Sequence, residues 1–203
     1  SDPPQHPVKR EAMVPTGFLS PHGWSFVLLA TAFALHAFLL SGVTSNLLAM
    51  LERGGIDATT VVMIGTLFGP SQVVARLGDF AFANRTSPMW VARTAMITMT
   101  VAFAALALAG ISPVVAAAFS IMFGAANGVM TIARGALPLV MFGPVGYGRV
   151  IGRIARPALL LQALAPFAVA SAAEILSDRV VLSIAAFGAA VALACFYAIR
   201  VPK

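Results

Sequence analysis

Charge is scarce in this 203-residue chain: Asp, Glu, Lys and Arg make up 10% of it, where a soluble domain carries about a quarter. Cysteine is scarcer still. Cys195 is the single one, which excludes a disulfide framework or a thiolate metal site within one chain. A P-loop, a dinucleotide glycine fingerprint and any metal-ligand cluster are absent, so ATP-driven chemistry finds no support and no cofactor is expected. No basic-then-apolar signal peptide opens the chain, which begins on Ser1; it reads as a piece of something longer or as a processed product.

What fills the chain is hydrophobicity: 60% of its residues are hydrophobic and the mean hydropathy is +0.93. Those are the values of a membrane protein. The formal charge of +6 could suggest nucleic acid, but ten of the thirteen Lys and Arg flank apolar runs and no basic patch is interleaved with aromatics. No nucleic-acid partner is expected.

Residues 1–23 hold five of the thirteen prolines and two of the three histidines, and cannot bury enough apolar surface to fold alone. They read as a linker or leader. Six apolar stretches follow in 24–203, each near the roughly 20 residues that a spanning helix needs: Trp24 to Leu51, Asp57 to Ala83, Pro88 to Ala109, Pro113 to Phe142, Arg149 to Ala173 and Arg179 to Arg200. The fold class is therefore an all-α membrane protein of six transmembrane helices. Lys9, Arg10, Arg76, Arg85, Arg93, Arg149, Arg153, Arg156, Arg200 and Lys203 fall on one side, and Arg53 and Arg179 on the other. This asymmetry predicts that both termini are cytoplasmic, in an inner (plasma) membrane.

One cation breaks the pattern. Arg134 sits inside an uncharged apolar run, Gly124 to Pro144, where a guanidinium at depth costs about 2.5 to 3.5 kcal/mol on insertion scales. At 100° per residue Asn127, Thr131 and Arg134 fall within roughly 60° of one another, with Gly124 and Pro138 on the same side. Two readings stand: a substrate-facing surface looking onto a wet crevice, or an arginine that snorkels or bonds backbone carbonyls. Beside it, His36 near the middle of the first span is either a proton carrier or a hydrogen-bonded packing residue. Asn46 and Gln162 are further polar residues within spans.

Gln72 and Arg76 stand one helical turn apart and can present an amide and a cation together, either at a cytoplasmic gate or with Arg76 snorkelling. Glycines repeat at four-residue spacing in Gly65/Gly69, Gly124/Gly128 and Gly148/Gly152, a spacing that lets membrane helices approach closely. Gly69-Pro70, Pro157 and Pro166 are expected to bend their helices.

The segments FGPSQVVARLGD (Phe68 to Asp79) and TIARGALPLVMFGPVGYGRVIGR (Thr131 to Arg153), with six spans behind a basic, proline-rich leader, resemble the C-terminal half of a bacterial efflux-type transporter of the major facilitator superfamily. The resemblance implies that Gly78, Asp79 and Arg85, at altered spacing, stand where the family has its conformational latch. Gln72, Arg76, Asp79 and Arg85 are then the gating candidates. It also implies that the first, second, fourth and fifth spans line a central cavity while the third and sixth are peripheral. The substrate-binding candidates are Arg134, Asn127, Thr131, His36, Asn46 and Gln162.

On this reading the chain is half of a secondary active transporter that moves a small, anionic solute by alternating access. Its partners are that solute, membrane lipid and a second six-helix half, in the same polypeptide or a separate chain. Two alternatives remain: a transport-inactive scaffold or assembly factor of the same fold, and an intramembrane serine protease using Ser112 and His36. The first two readings are not enzymes.

Overall fold

The computed structural model describes residues 21–82 and 86–199; Arg85, the leader through residue 20, and residues 200–203 lie outside the described residues. Seven helices follow in order: α1 (Pro21–Arg53), α2 (Ala58–Thr66), α3 (Phe68–Phe82), α4 (Pro88–Ala109), α5 (Pro113–Phe142), α6 (Tyr147–Ile175) and α7 (Asp178–Ala198). Among the described residues there is no strand, and six segments are long and apolar enough to cross a membrane, α2 and α3 counting together as Ala58–Ala81. The chain is an all-α, six-span, multi-pass membrane protein. Helices are the form such runs must take, since hydrocarbon offers backbone N–H and C=O groups no other partner.

Helix ends lie where the local chemistry puts them. Ser87 and Ser112 cap α4 and α5 by accepting the N–H groups of Trp90 and Val115, each followed by a proline whose missing N–H costs nothing in the first turn. At the other ends Gly110 (φ 81°) and Gly143 (φ 78°) stop α4 and α5 in a conformation that a side chain would strain. The first helix begins at Pro21, three residues ahead of the expected span, and the fifth and sixth spans start at Tyr147 and Asp178.

The second span is broken, as Gly69-Pro70 predicts. Pro70 has no N–H to give the Thr66 carbonyl and its ring crowds that carbonyl. The Leu67 N–H bonds Ile64 at 3.1 Å in a tightened turn, and a new helix starts at Phe68. Pro138, Pro157 and Pro166 lie inside continuous helices.

Helices α1, α7, α4 and α5 pack in a ring in that order; α6 leans on α1 from outside it and α3 on α5. The α4 side of this ring is the heptad-like run Ala92, Ala95, Met96, Met99, Ala102, Phe103, Leu106, all buried. Facing it, α7 buries Ala185, Ala189, Ala192 and Phe196. Small residues let backbones approach where lipid supplies no hydrophobic drive. Between α4 and α5, Phe119 stacks on Phe123 with centroids 5.2 Å apart, and Phe103 meets Phe123 edge-on at 5.5 Å.

Of the three glycine pairs, Gly124/Gly128 is the one at a close crossing. A Cβ on Gly128 would meet the Gln72 carbonyl oxygen at 2.5 Å and its Cα at 2.9 Å, and one on Gly124 would collide with Ser71 and the Phe68 carbonyl. Gly69, Gly148 and Gly152 face open space. A comparable approach joins α1 to α6, where a Cβ on Gly42 would meet Val169 at 2.6 Å. Gly128→Ala is expected to cost about 1–3 kcal/mol, read as a lower melting temperature in detergent, while Gly152→Ala leaves it unchanged or raised.

Asp57, just ahead of the second span, caps α2 by accepting the Thr60 N–H at 3.0 Å. Hydrogen bonding from Thr60, through its side chain first and its backbone second, holds this carboxyl below its ordinary value. A carboxyl with a depressed folded value contributes stability above its unfolded value, about 3.9, and loses it as pH falls through the lower folded value. Amide hydrogen exchange at Thr60 and Val61 is therefore expected to quicken only on acidification below that range, and to lose this pH dependence in Asp57→Asn.

Candidate functional site

The polar residues of α5 divide between two neighbours. Asn127 and Thr131 turn toward α3, and Arg134 toward α1. The 60° between them is enough to send one stripe to both sides of the helix. The first group is a clamp at the glycine crossing: buried Asn127 donates from Nδ2 to Gln72 Oε1 at 3.0 Å, and Arg76 donates from Nη2 to the same oxygen at 3.3 Å. Arg76 also reaches across to α5, from Nε to the Gly128 carbonyl at 3.3 Å and from Nη2 to Thr131 Oγ1 at 3.5 Å. Thr131 in turn donates to the Asn127 carbonyl at 2.9 Å. Glycine at 124 and 128 lets α3 come close enough for these bonds to form.

The second group is the pair Arg134–His36. Arg134 Nη2 lies 3.1 Å from His36 Nδ1, and the guanidinium sits over the Phe33 ring, 5.8 Å from its centroid. A guanidinium has donors only, so Nδ1 must be the acceptor, and His36 is then the neutral tautomer with its proton on Nε2. His36 is 1% exposed. Both His36 Nε2 and Arg134 Nε are buried without a hydrogen-bond partner. One turn on, Pro138 has no N–H to give the Arg134 carbonyl. The guanidinium, itself half-buried, is met on the bundle side by α1, where a neighbouring imidazole and ring face are the partners within reach.

The remaining candidates lie apart from these groups. Asn46 donates from Nδ2 to the Gly42 carbonyl at 2.8 Å and to the Pro166 carbonyl at 3.3 Å, so it joins α1 to α6 at Pro166. Gln162 is exposed on α6, and Asp79 is half-buried near the end of α3. Arg85 lies outside the described residues. The protease pair is otherwise engaged, Ser112 Oγ as the cap of α5 and His36 Nδ1 with Arg134.

Sequence reasoning counted Arg93 as a topology charge and missed its contacts. It donates from Nε and Nη2 to the Phe196 carbonyl at 3.1 and 3.0 Å and lies 4.6 Å from the Tyr197 ring centroid, closing the end of α7. At the opposite end of the bundle Arg53 forks onto Asp178, Nη2 to Oδ1 at 2.7 Å and Nε to Oδ2 at 3.3 Å. A cavity of about 400 Å³ between α1, α6 and α7 is apolar, bounded by Phe38, Val43, Val169, Phe187 and Gly188. Another, of about 450 Å³, lies at the α4–α5 turn beside Arg179. Neither includes Arg134, His36 or the Arg76 clamp.

No protein-family model matches the chain, and no curated protein matches it.

Gln72→Leu strands the Asn127 amide, and an unpaired buried polar group costs about 1–3 kcal/mol. Thermal unfolding in detergent is expected to register that loss, with the double variant Gln72→Leu/Asn127→Leu recovering part of it.

Proposed function

We propose that this chain is one six-helix half of a secondary active transporter of the major facilitator type, which moves a small anionic solute by alternating access. The observation that carries it is Arg134: a cation inside a membrane span, paired among the described residues with a neutral imidazole and with no carboxylate. An intramembrane ionisable residue is costly and by default functional. A guanidinium that retains a free N–H and no counter-ion suits a carboxylate or other oxyanion through charge-assisted hydrogen bonds.

Two features of the bundle support the reading. Helices α3 and α6 are the least covered, with Val73, Val74, Leu77 and Phe80 on one and Leu159, Leu160, Leu164 and Phe167 on the other all exposed. A second six-helix half would cover them and supply the other cavity wall. Furthermore, the backbones of α1 and α5 approach closely at few residues, their side-chain contacts being Arg134 with His36 and Phe33 and the edge-on pair Phe26–Phe142, which makes the seam that Arg134 bridges a candidate place for helices to part. The basic asymmetry of the sequence supports cytoplasmic termini, as in an inner-membrane protein. Gln72 and Arg76, clamped to the middle of α5 at Asn127, Gly128 and Thr131, and Asp79, near the end of α3, act in gating rather than in substrate contact.

One observation favours a second reading. The Arg76 clamp is bonded within the bundle, to Gly128, Thr131 and Gln72, as a transport-inactive scaffold of the same fold would have it. Flux measurements separate the two. With the chain reconstituted in proteoliposomes together with its second six-helix half and a panel of small labelled carboxylates and phosphates, transport predicts saturable exchange that drops about ten- to a hundredfold in Arg134→Ala, as expected for loss of a hydrogen bond to a charged group. Absence of flux for every anion in the panel would favour the scaffold.

A further inference from the structure

Consecutive helices α6 and α7 scarcely touch each other, although both lean on α1. The gap between them is the apolar cavity of about 400 Å³, a cleft walled by Leu39, Val43 and Met50 of α1, Val169 of α6, and Val181 and Gly188 of α7. Along α7 it runs from Val181 to Val191, about 15 Å at the helical rise. That is the depth of one leaflet, half of a hydrocarbon core of roughly 30 Å. Its position agrees, since α7 begins at Asp178 and the cleft therefore occupies the half of the span nearest the α1–α2 and α6–α7 turns. Ile184 and Phe187 at its edge are exposed, so it opens sideways to the bilayer.

Width and chemistry narrow the occupant. A volume of about 400 Å³ spread over that length leaves a channel roughly 5 Å across, half of the 10–12 Å or so that a helix fills. A single file of methylenes, whose carbons touch at about 4 Å, fits. Water does not, because a trapped water needs several polar partners and the walls named above are apolar.

At the end near the turns the same two walls carry charge. Arg53 follows Met50 on one face of α1, and Asp178 precedes Val181 on one face of α7, each at a spacing of i to i+3. The ion pair between them, Nη2 to Oδ1 at 2.7 Å and Nε to Oδ2 at 3.3 Å, joins the walls just beyond the cleft. Among the described residues Arg53 Nη1 has no partner, and the Arg53 side chain is 47% exposed. A phosphate at headgroup depth finds a free guanidinium N–H there.

We propose that this cleft is a phospholipid site, holding one acyl chain of the leaflet at the α1–α2 turn between α6 and α7, with the lipid phosphate on Arg53 Nη1. The bound chain supplies the packing that α6 and α7 do not give each other. Neither Arg134 nor the Arg76 clamp borders the cleft, so the site does not depend on the transport reading.

The test uses the full chain purified in a mild detergent, with retained phospholipid counted by native mass spectrometry after delipidation and again during titration with phosphatidylglycerol. A single tightly held phospholipid per chain is expected. A Cβ on Gly188 would lie 3.7 Å from Leu39 Cδ2, an ordinary contact, so Gly188→Leu suits the fold while filling the cleft, and it is expected to weaken phosphatidylglycerol binding about tenfold or more. Arg53→Gln is expected to weaken it about fivefold, as for one basic residue at a lipid surface. Asp178→Asn breaks the same ion pair but leaves the cation, and is expected to keep or strengthen binding; a merely structural ion pair would make both variants fall alike. In nanodiscs, photolysis of phosphatidylglycerol carrying a diazirine midway along one acyl chain is expected to label the peptide holding Gly188 and Val191, and to lose that label in Gly188→Leu. Absence of a held phospholipid, binding unchanged in Gly188→Leu, equal losses in Arg53→Gln and Asp178→Asn, or a detergent alkyl chain or second polypeptide occupying the cleft instead each overturns the proposal.

Discussion

Inside hydrocarbon a polar group without a partner is costly, and the arrangement of this bundle follows from how most of its few polar groups are matched, His36 Nε2, Arg134 Nε and Ser120 Oγ being buried exceptions. Arg134 is the hardest case. A guanidinium can only donate, so a neighbour must accept, and the acceptor is His36, held neutral on a different helix and buried at 1% exposure. That contact orients α5 so that Arg134 looks to α1. The adjacent stripe, Asn127 and Thr131, is then left for α3. Glycine at 124 and 128 removes the side chains that would hold α3 away, and Gln72 and Arg76 complete the clamp. Each step constrains the next.

Hydroxyl groups solve the same problem locally. Thr44, Thr66, Thr100 and Ser183 each donate to a carbonyl three or four residues back on their own helix. A hydroxyl so tied can face acyl chains at little cost, and it says nothing about a wet surface. The polarity of a span is thus a weaker guide to a cavity than the count of its Ser and Thr suggests. Amides and cations, which cannot be satisfied this way, are the informative residues: Asn46, Gln72, Arg76, Asn127 and Arg134 all reach another side chain or another helix.

Span number and placement were legible because a bilayer imposes a minimum apolar length, and the six runs meet it, two of them, α4 and α5, opening on a capping serine and a proline. The break at Leu67 was legible from Pro70 for the same elementary reason. Along α5 the periodicity placed Asn127, Thr131 and Arg134 together, yet it could not say which neighbour each would meet, since the direction of α1 and α3 around α5 is a tertiary fact. Nor could it pair Arg134 with His36, which lies 98 positions away. Arg93 was hidden by a different overlap: a charge at the end of a span satisfies the topology rule whether or not it also caps a carbonyl, as it does at Phe196.

The interruption at Leu67 also bears on how the bundle sits among lipids. At 1.5 Å per residue, α2 and α3 are cylinders of about 14 and 22 Å, together longer than the roughly 30 Å of a hydrocarbon core. Leu67 keeps helical dihedrals across the interruption, φ −70° and ψ −24°, so the chain runs on through it while Pro70 withholds one backbone hydrogen bond. The span is softest there, and a bilayer of another thickness would be met by bending at that point while the glycine-lined crossing of α3 on α5 keeps its register.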